Sequence, residues 1–182
     1  FFFKQKTAYE MCGRDWSSDV CSSDLDLIKS WDSYLSTGEC IKKITGAALL
    51  AHARDIKDIV IRTGLKAGSG VYFDEKGKSV VSTDPRFLRS FELAKRVRAS
   101  GLDAKIGAWS NEWGEAFKRG TVSTQMMGAW LGGHLANWLA PDTKGKWRSA
   151  VLPGGTAASW GGTFYSIPKR AERSEEHTSE LQ

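Results

Sequence analysis

The sequence predicts an α/β fold in which helices pack on a layered sheet. Segments whose apolar residues recur at helical spacing alternate along the chain with short apolar segments typical of buried strands. Ser, Asp and Gly residues stand where the helices are expected to begin and end. No internal repeat and no low-complexity tract interrupts this order in residues 26–172. Alternation of strands and helices is the pattern of a sheet covered by helices.

The first half of the chain contains two predicted helices and a predicted hairpin. The first helix begins at Ser30 and ends at Gly46, with apolar residues near helical spacing between them. The second helix covers residues 53–63 and carries Ile56, Ile59, Val60 and Thr63 on one side. Residues 71–81 then predict a short β-hairpin, because two apolar segments flank a turn that contains Gly77.

The second half alternates more regularly between the two kinds of element. Asp84 and Pro85 begin a helix as its N-cap and its first helical residue, and Gly101 ends it. Another helix begins at Ser110 and is closed by Gly120. The remaining predictions are a buried strand at 122–127, a helix at 129–139, and strands at 147–152 and 164–167.

Both ends of the chain resemble translated sequencing-adapter DNA. The segments concerned read KQKTAYE, RDWSSDVCSSDL and RSEEHTSELQ. The reverse complement of codons for RSEEHTSELQ can spell DWSSDVCSSDL in a shifted frame, as opposite strands of one synthetic oligonucleotide would. A Ser/Asp-rich disordered tail is the alternative that the composition allows. We therefore expect residues 1–25 to be non-native and disordered, residues 173–182 to be non-native, and residues 26–172 to be an internal piece of a longer protein.

Residues 26–172 are more basic than the whole chain. They carry 22 Lys and Arg against 14 Asp and Glu, a balance of +8, compared with +5 for all 182 residues. The basic residues are scattered, which favours a solvated surface over a nucleic-acid groove. Cys40 is the single cysteine of this piece, so we expect neither an internal disulfide nor a cysteine-based metal site. No apolar segment approaches the length of a membrane span.

Tryptophan and glycine concentrate in the last third of residues 26–172. Gly161 and Gly162 follow Trp160 directly and leave one side of that ring without side-chain cover. Glycine beside an aromatic ring lets a flat ligand, such as a sugar, come close to the backbone. This stretch therefore predicts ligand binding. Its four tryptophans are Trp130, Trp138, Trp147 and Trp160.

Three linked segments resemble the extracellular solute-binding proteins of carbohydrate ABC transporters, family 1. They are EWGEAFKRGTVSTQMMGAWLGGHL (112–135), APDTKGKWRSAVLPGG (140–155) and SWGGTFYSIPK (159–169). Their order along the chain is more specific than any one of them, since GAW or LPGG alone would be weak. Upstream, TDPRFLRSFELAKRVRASGLD resembles the helix that precedes this block in the family.

The resemblance implies a type II periplasmic-binding-protein fold, in which two α/β lobes hold the ligand in a cleft. Residues 26–150 would be mostly the C-terminal lobe, and residues 151–172 the crossover towards the N-terminal lobe. The implied function is capture of a mono- or oligosaccharide for the permease subunits of an ABC importer, without catalysis, cofactor, metal or nucleic acid. The implied location is periplasmic or extracytoplasmic, with membrane contact only through the permease or a lipid anchor. We do not expect this piece to bind sugar alone.

The resemblance also assigns site residues. Trp130 matches the cleft aromatic at a helix start, where free backbone N–H groups face outward. Trp160, Gly161 and Gly162 match the hinge-side loop of the family. Weaker candidates are Trp109 as a rim aromatic, Glu112 as a hydroxyl acceptor and, weaker still, Asp55.

Each candidate has a structural alternative. Trp130 and Trp160 could be packing residues, because tryptophan is mostly buried. Glu112 could complement the dipole of its helix, and Asp55 could be a solvated helix acid or cap. Other residues are assigned to structure alone: Trp138 and Trp147 to core or interlobe packing, His52 and His134 to surface or satisfied positions.

Two rival functions stay open from the sequence. A glycoside-processing enzyme needs two acids facing one sugar bond; Glu112 and Glu115 could face one way, but nothing places a second acid opposite them. No nucleophile-elbow, zinc-protease or phosphate-loop motif occurs. A nucleic-acid module rests on the basic charge alone and would show binding that falls steeply with salt.

Overall fold

A computed structural model describes residues 2–4, 28–65 and 69–161. A π-helical turn at Leu135–Leu139 and a 3-10 turn at Pro141–Thr143 follow the last helix. The strands are β1 (Phe2–Lys4), β2 (Thr124–Gln125) and β3 (Trp147–Ser149). The helices are α1 (Trp31–Thr45), α2 (Ala53–Val60), α3 (Pro85–Ala99), α4 (Asn111–Arg119) and α5 (Leu131–His134).

Three short segments run parallel and extend the sheet beyond β2. The Thr124 N–H donates to the Leu49 carbonyl at 3.0 Å, and Ala48 forms a parallel bridge with Val122. On the other side, Leu50 forms a parallel bridge with Asp103. These segments lead into α2, α4 and α5, so the starts of three helices gather at the edge formed by their carboxyl ends.

The strand β1 lies between β2 and β3 and is antiparallel to both. The backbone of Phe2 pairs with Gln125 on one side and with Ser149 on the other. Residues 1–25 were expected to be non-native and disordered, whereas the structure places the backbone of residues 2–4 in the sheet. The other adapter-like residues, 5–25 and 173–182, lie outside the described ranges. Their origin stays a prediction.

Local capping explains why the starts of three predicted helices and the ends of two of them are confirmed. The Ser30 hydroxyl accepts the Ser33 N–H at 3.0 Å at the start of α1, and Gly46 ends that helix with a φ of 75°. Asp84 caps α3 at 2.9 Å, followed by Pro85. The helix α4 begins after Ser110 and ends at Gly120, as predicted.

Other predicted elements are shorter in the structure. The helix α2 ends at Val60 instead of residue 63, because Thr63 turns away and pairs with Ala158. The hairpin predicted at 71–81 has one bridge, between Phe73 and Ser79. The strand predicted at 122–127 corresponds to β2 and a bridge at residue 122. The strand predicted at 147–152 corresponds to β3 and a separate bridge at residue 152. The strand predicted at 164–167 lies outside the described ranges.

The core consists of two hydrophobic clusters. The first joins α1, α2 and α3 and includes Tyr34, Ile56 and Val97. The second joins α4 and α5 and includes Trp113 and Leu135. Both methionines of the predicted buried strand, Met126 and Met127, are buried, as expected.

Two further findings concern cysteine and membranes. Cys40 forms a disulfide bond, so the expectation of no internal disulfide is wrong. That expectation counted only the cysteines of residues 26–172. In the ranges that the structure describes, no helix is long and apolar enough to span a membrane.

Candidate functional site

The candidate site lies at the edge of the sheet where the three parallel segments end. His52 follows the first segment, Trp109 follows the second, and Trp130 follows β2. In open α/β sheets, ligands bind in the crevice outside the carboxyl ends of the strands. The site can therefore be built from the side chains at this edge.

Four aromatic side chains form a continuous surface, which we call the aromatic strip: Trp109, Trp130, His134 and Trp138. Trp109 and Trp130 stack with centroids 5.7 Å apart and planes inclined by 15°. Trp130 meets His134 at 5.3 Å, and His134 meets Trp138 at 5.0 Å. The three tryptophans are 54%, 41% and 56% exposed. Because large apolar side chains are normally buried, a joined and exposed set of this kind indicates a binding surface.

Trp130 is positioned by the glycine two residues before it. A Cβ atom at Gly128 would lie 2.3 Å from the Trp130 Nε1, so only glycine leaves room for this indole. Trp130 is the N-cap residue of α5, and no side chain caps it. The first two N–H groups of α5 donate to the carbonyls of Gly128 and Ala129 at 3.0 and 3.2 Å. Those two groups are therefore not free to face outward, contrary to the prediction.

Trp109 lies in a backbone conformation that bulky residues avoid. Its φ is 68°, in the left-handed region that suits glycine. Its ring packs between the stacked Trp130 and the buried Trp113, whose centroid is 5.0 Å away. Strained backbone of this kind persists only where the surroundings enforce it, and it clusters at functional sites.

A buried polar network supports Trp113 from below. The Trp113 indole N–H donates to the Gln125 Oε1 at 3.3 Å, and the Gln125 Nε2 donates to the Asp55 carboxylate at 3.2 Å. Burial raises the pKa of the Asp55 carboxyl to about 6, while hydrogen bonds from Gln125 and the His52 backbone lower it. Asp55 is thus a buried network residue, and the prediction of a solvated helix acid is wrong.

The remaining predicted site residues lie in different environments. Glu112 is exposed in the first turn of α4, beside Trp113, and no hydrogen bond or ion pair joins it to the described residues. Trp160 is half-buried against both core clusters, and the Arg62 guanidinium lies 4.9 Å from its ring centroid. Gly161 has a φ of 70° with open space around it. Gly162 lies outside the described residues.

The structure brings Trp109 and Trp130 together and adds two residues that the sequence analysis had set aside. Trp138 was assigned to packing, but 56% of its surface is exposed, so in this structure it is not a core residue. Its indole N–H donates to the His134 Nδ1 at 3.0 Å, so one of the two ring nitrogens of His134 has a partner. The spacing of 130, 134 and 138 on one helix face was the available signal.

Two other assignments to structure are confirmed. Trp147 is half-buried, with its ring edge-on to Phe117 at 5.3 Å. His52 is the N-cap of α2, and its Nδ1 accepts the Arg54 N–H at 3.0 Å. Among the described residues, no group of three His, Cys, Asp or Glu side chains could hold a metal ion.

Comparison with known proteins identifies the fold. No family model matches the sequence. A crystal structure of an extracellular solute-binding protein of family 1 superposes with a TM-score of 0.74 at 22% identity, covering 98% of this chain and 44% of that one. The chain has part of the fold of an extracellular solute-binding protein.

Three further comparisons concern relatives of this solute-binding-protein fold. The arabinooligosaccharide-binding protein of Bacillus subtilis (strain 168) is 26% identical over 157 residues, covering 82% of this chain. An ABC-transporter-associated binding protein from B. animalis subsp. lactis Bl-04, in complex with beta-1,6-galactobiose, has a TM-score of 0.63 at 22% identity, covering 86% of this chain. A Streptococcus pneumoniae solute-binding protein, in complex with the blood group A-trisaccharide, has a TM-score of 0.62 at 15% identity, covering 99% of this chain.

The chain spans less than half the length of these solute-binding proteins. It covers 36% of the Bacillus subtilis relative and 38% and 43% of the two sugar complexes. The aromatic strip therefore belongs to a part of such a fold, and the remainder of each relative has no counterpart in this sequence.

Proposed function

We propose that this chain is part of the carbohydrate-binding receptor of an ABC importer and that the Trp109–Trp130 stack forms one wall of the sugar site. The observation that carries the proposal is the exposed stack of Trp109 on Trp130 at the carboxyl ends of the parallel segments. Support comes from the relatives: one is named for binding an arabinooligosaccharide, and two were solved with a bound oligosaccharide.

A sugar ring fits the chemistry of this surface. Its C–H patches stack on aromatic faces, and its hydroxyl groups need hydrogen-bond partners. Trp109 and Trp130 supply the faces, and the Glu112 carboxylate beside Trp113, to which no described residue is bonded, supplies an acceptor. We assign the Trp160 loop with Gly161 and Gly162 to the hinge side of the cleft, within a crossover at 151–172, and residues 26–150 mostly to the C-terminal lobe.

The receptor would work by closure. A second lobe, contributed by the rest of the protein, covers the sugar and excludes water from both faces of the ring. The closed shape is what the permease subunits recognise, which places the receptor in the periplasm or another extracytoplasmic compartment. Binding without catalysis agrees with the binding proteins that the chain resembles.

The test is a sugar titration of the intact protein that contains residues 26–172, followed by tryptophan fluorescence. Trp109→Ala and Trp130→Ala should each weaken binding by about 1–3 kcal/mol, the usual worth of an aromatic stacking platform. Phe91→Ala is the matched control, because this exposed ring lies on α3, outside the aromatic strip. Unchanged affinity in both tryptophan variants would overturn the proposal, as would consumption of the bound sugar.

A salt titration separates the proposal from the nucleic-acid alternative. Stacking and neutral hydrogen bonds depend weakly on ionic strength, so sugar affinity should be nearly constant between low and moderate salt. Binding carried by phosphate contacts would instead fall by orders of magnitude over the same range.

A further inference from the structure

We propose that His134 and Trp138 form a second sugar subsite beside the Trp109–Trp130 stack, so that the receptor binds a chain of sugar units instead of a single ring. This inference rests on the proposed function. It assigns a ligand-binding role to two residues that sequence analysis had placed in packing or at the surface.

The length of the aromatic strip supports a second subsite. Trp130 and Trp138 are eight residues apart, which corresponds to about 12 Å along a helix that rises 1.5 Å per residue. Neighbouring rings within the strip are only 5.0 to 5.7 Å apart. A single sugar ring stacked on one indole leaves the far end of the strip uncovered, whereas linked sugar rings can cover both ends.

A π-helical turn carries Trp138 and supports a role for this residue in the second subsite. The Ala140 N–H donates to the Leu135 carbonyl at 3.2 Å, an i→i+5 bond, which widens the helix at Leu135–Leu139. In a regular α-helix, a residue four positions on overshoots one full turn by about 40°. The wider turn changes the direction in which Trp138 projects, and in this structure its ring centroid lies 5.0 Å from that of His134. Such turns occur often at functional sites.

The hydrogen bonding of His134 leaves one ring nitrogen available for a ligand. An indole N–H is only a donor, so the Trp138 Nε1 must donate and the His134 Nδ1 must accept. In the neutral ring, the proton then resides on Nε2, which becomes a donor. The described residues provide no hydrogen-bond partner for Nε2. A sugar hydroxyl is the kind of acceptor that this group needs.

Trp138 is exposed, and its indole nitrogen already has a hydrogen-bond partner. More than half of the side chain is accessible, yet its N–H is occupied by His134. What remains for a ligand is the apolar ring face, and stacking is the contact that such a face offers to the C–H patches of a sugar.

The experiment compares ligands of increasing length on the intact protein. Calorimetric titrations use arabinose, arabinobiose and arabinotriose, and in parallel galactose and beta-1,6-galactobiose. The wild-type affinity should rise with length in the series that binds. Trp138→Ala should weaken the longest bound ligand about tenfold and leave the monosaccharide unchanged, because only the longer ligand reaches the Trp138 ring. Trp138→Phe, which keeps a ring, should restore most of the difference.

Three outcomes decide between the two proposals. An equal loss at every length in Trp138→Ala, or no loss at any length, overturns the second subsite while Trp130→Ala still reports on the first. A lower thermal midpoint without any length-dependent loss assigns Trp138 to packing against another part of the protein, which also overturns it. Failure of both sugar series to bind the wild type counts against the proposed function itself.

Discussion

The Gln125 side chain donates its amide N–H to the Asp55 carboxylate at 3.2 Å. The same side chain accepts the indole N–H of Trp113, whose ring supports Trp109. This connection ties the first turn of α2 to the base of the exposed tryptophan stack through the end of β2. A change in the charge of Asp55 is therefore felt close to the candidate sugar site.

Asp55 should make the stability of the protein depend on pH. Its pKa is raised from 3.8 to about 6 on folding, so the protonated form is favoured in the folded state. The resulting stabilisation is complete below the unfolded pKa and is lost as pH rises through about 6. Its size is up to about 3 kcal/mol, since one pKa unit is worth about 1.4 kcal/mol. Urea denaturation of wild type and Asp55→Asn from pH 4 to 7 measures it.

The difference between the two profiles isolates Asp55 from the other carboxylates. Asp55→Asn should gain on the wild type as pH rises, because the buried charge is absent from the variant. A constant offset between Asp55→Asn and wild type would refute the argument.

At position 109, the usual order of stability of alanine and glycine variants should be reversed. Alanine is normally better than glycine by about 0.5–1 kcal/mol in a regular helix, but a positive φ penalises any residue with a Cβ by about 1–2 kcal/mol. We expect Trp109→Gly to be at least as stable as Trp109→Ala, because φ at this position is 68°. The helical Trp138 is the matched control, where the glycine variant should be the less stable one. Thermal denaturation of the four variants tests the order.

Gly128 should control the position of the Trp130 ring. An added methyl group would lie 2.3 Å from the indole Nε1, so Gly128→Ala must displace the ring. We expect a loss of sugar affinity similar to that of Trp130→Ala, about 1–3 kcal/mol. Gly133→Ala is the matched control, because a methyl group there meets nothing within 4 Å and favours the helix. Equal affinity of the two variants in calorimetric titration would contradict this role of Gly128.

Arg62 should stabilise the loop that carries Trp160. Its guanidinium lies 4.9 Å from the ring centroid, within the range of a cation–π contact worth about 0.5–2 kcal/mol. Arg62→Met keeps an apolar stem over the ring but removes the charge, so the unfolding free energy should fall by about 1 kcal/mol. A double-mutant cycle with Trp160→Ala in the same urea titration separates the ring contact from the hydrogen bond that Arg62 donates to the Asp58 carbonyl, and additive effects would contradict the contact.

Helix limits could be predicted from the sequence because their causes are local. The Ser30 and Asp84 caps bond to N–H groups within three residues, and Gly120 ends α4 through its own backbone. The position of Trp130 at the start of a helix could be predicted for the same reason. Such features depend on neighbours that the sequence displays side by side.

The rest of the site depends on contacts between distant residues. Asp55 looked solvated because Gln125, the partner that accompanies its burial, is 70 positions further along the chain. The stack of Trp109 on Trp130 exists only because two parallel segments end at the same edge of the sheet. Helical spacing shows which residues share a face of the last helix, but it does not show which face stays exposed. Packing decides that, and therefore decides whether Trp138 is exposed.

The position of β1 between β2 and β3 has a kinetic consequence. Its backbone partners lie at 124–125 and 147–149, so the middle of this sheet is assembled from segments that are remote in the chain. Closing such long loops costs entropy before any pairing returns free energy, and topologies rich in distant contacts fold slowly. The helices can form early from local signals. The amides that join these three strands should then be among the last to gain protection from hydrogen exchange during refolding.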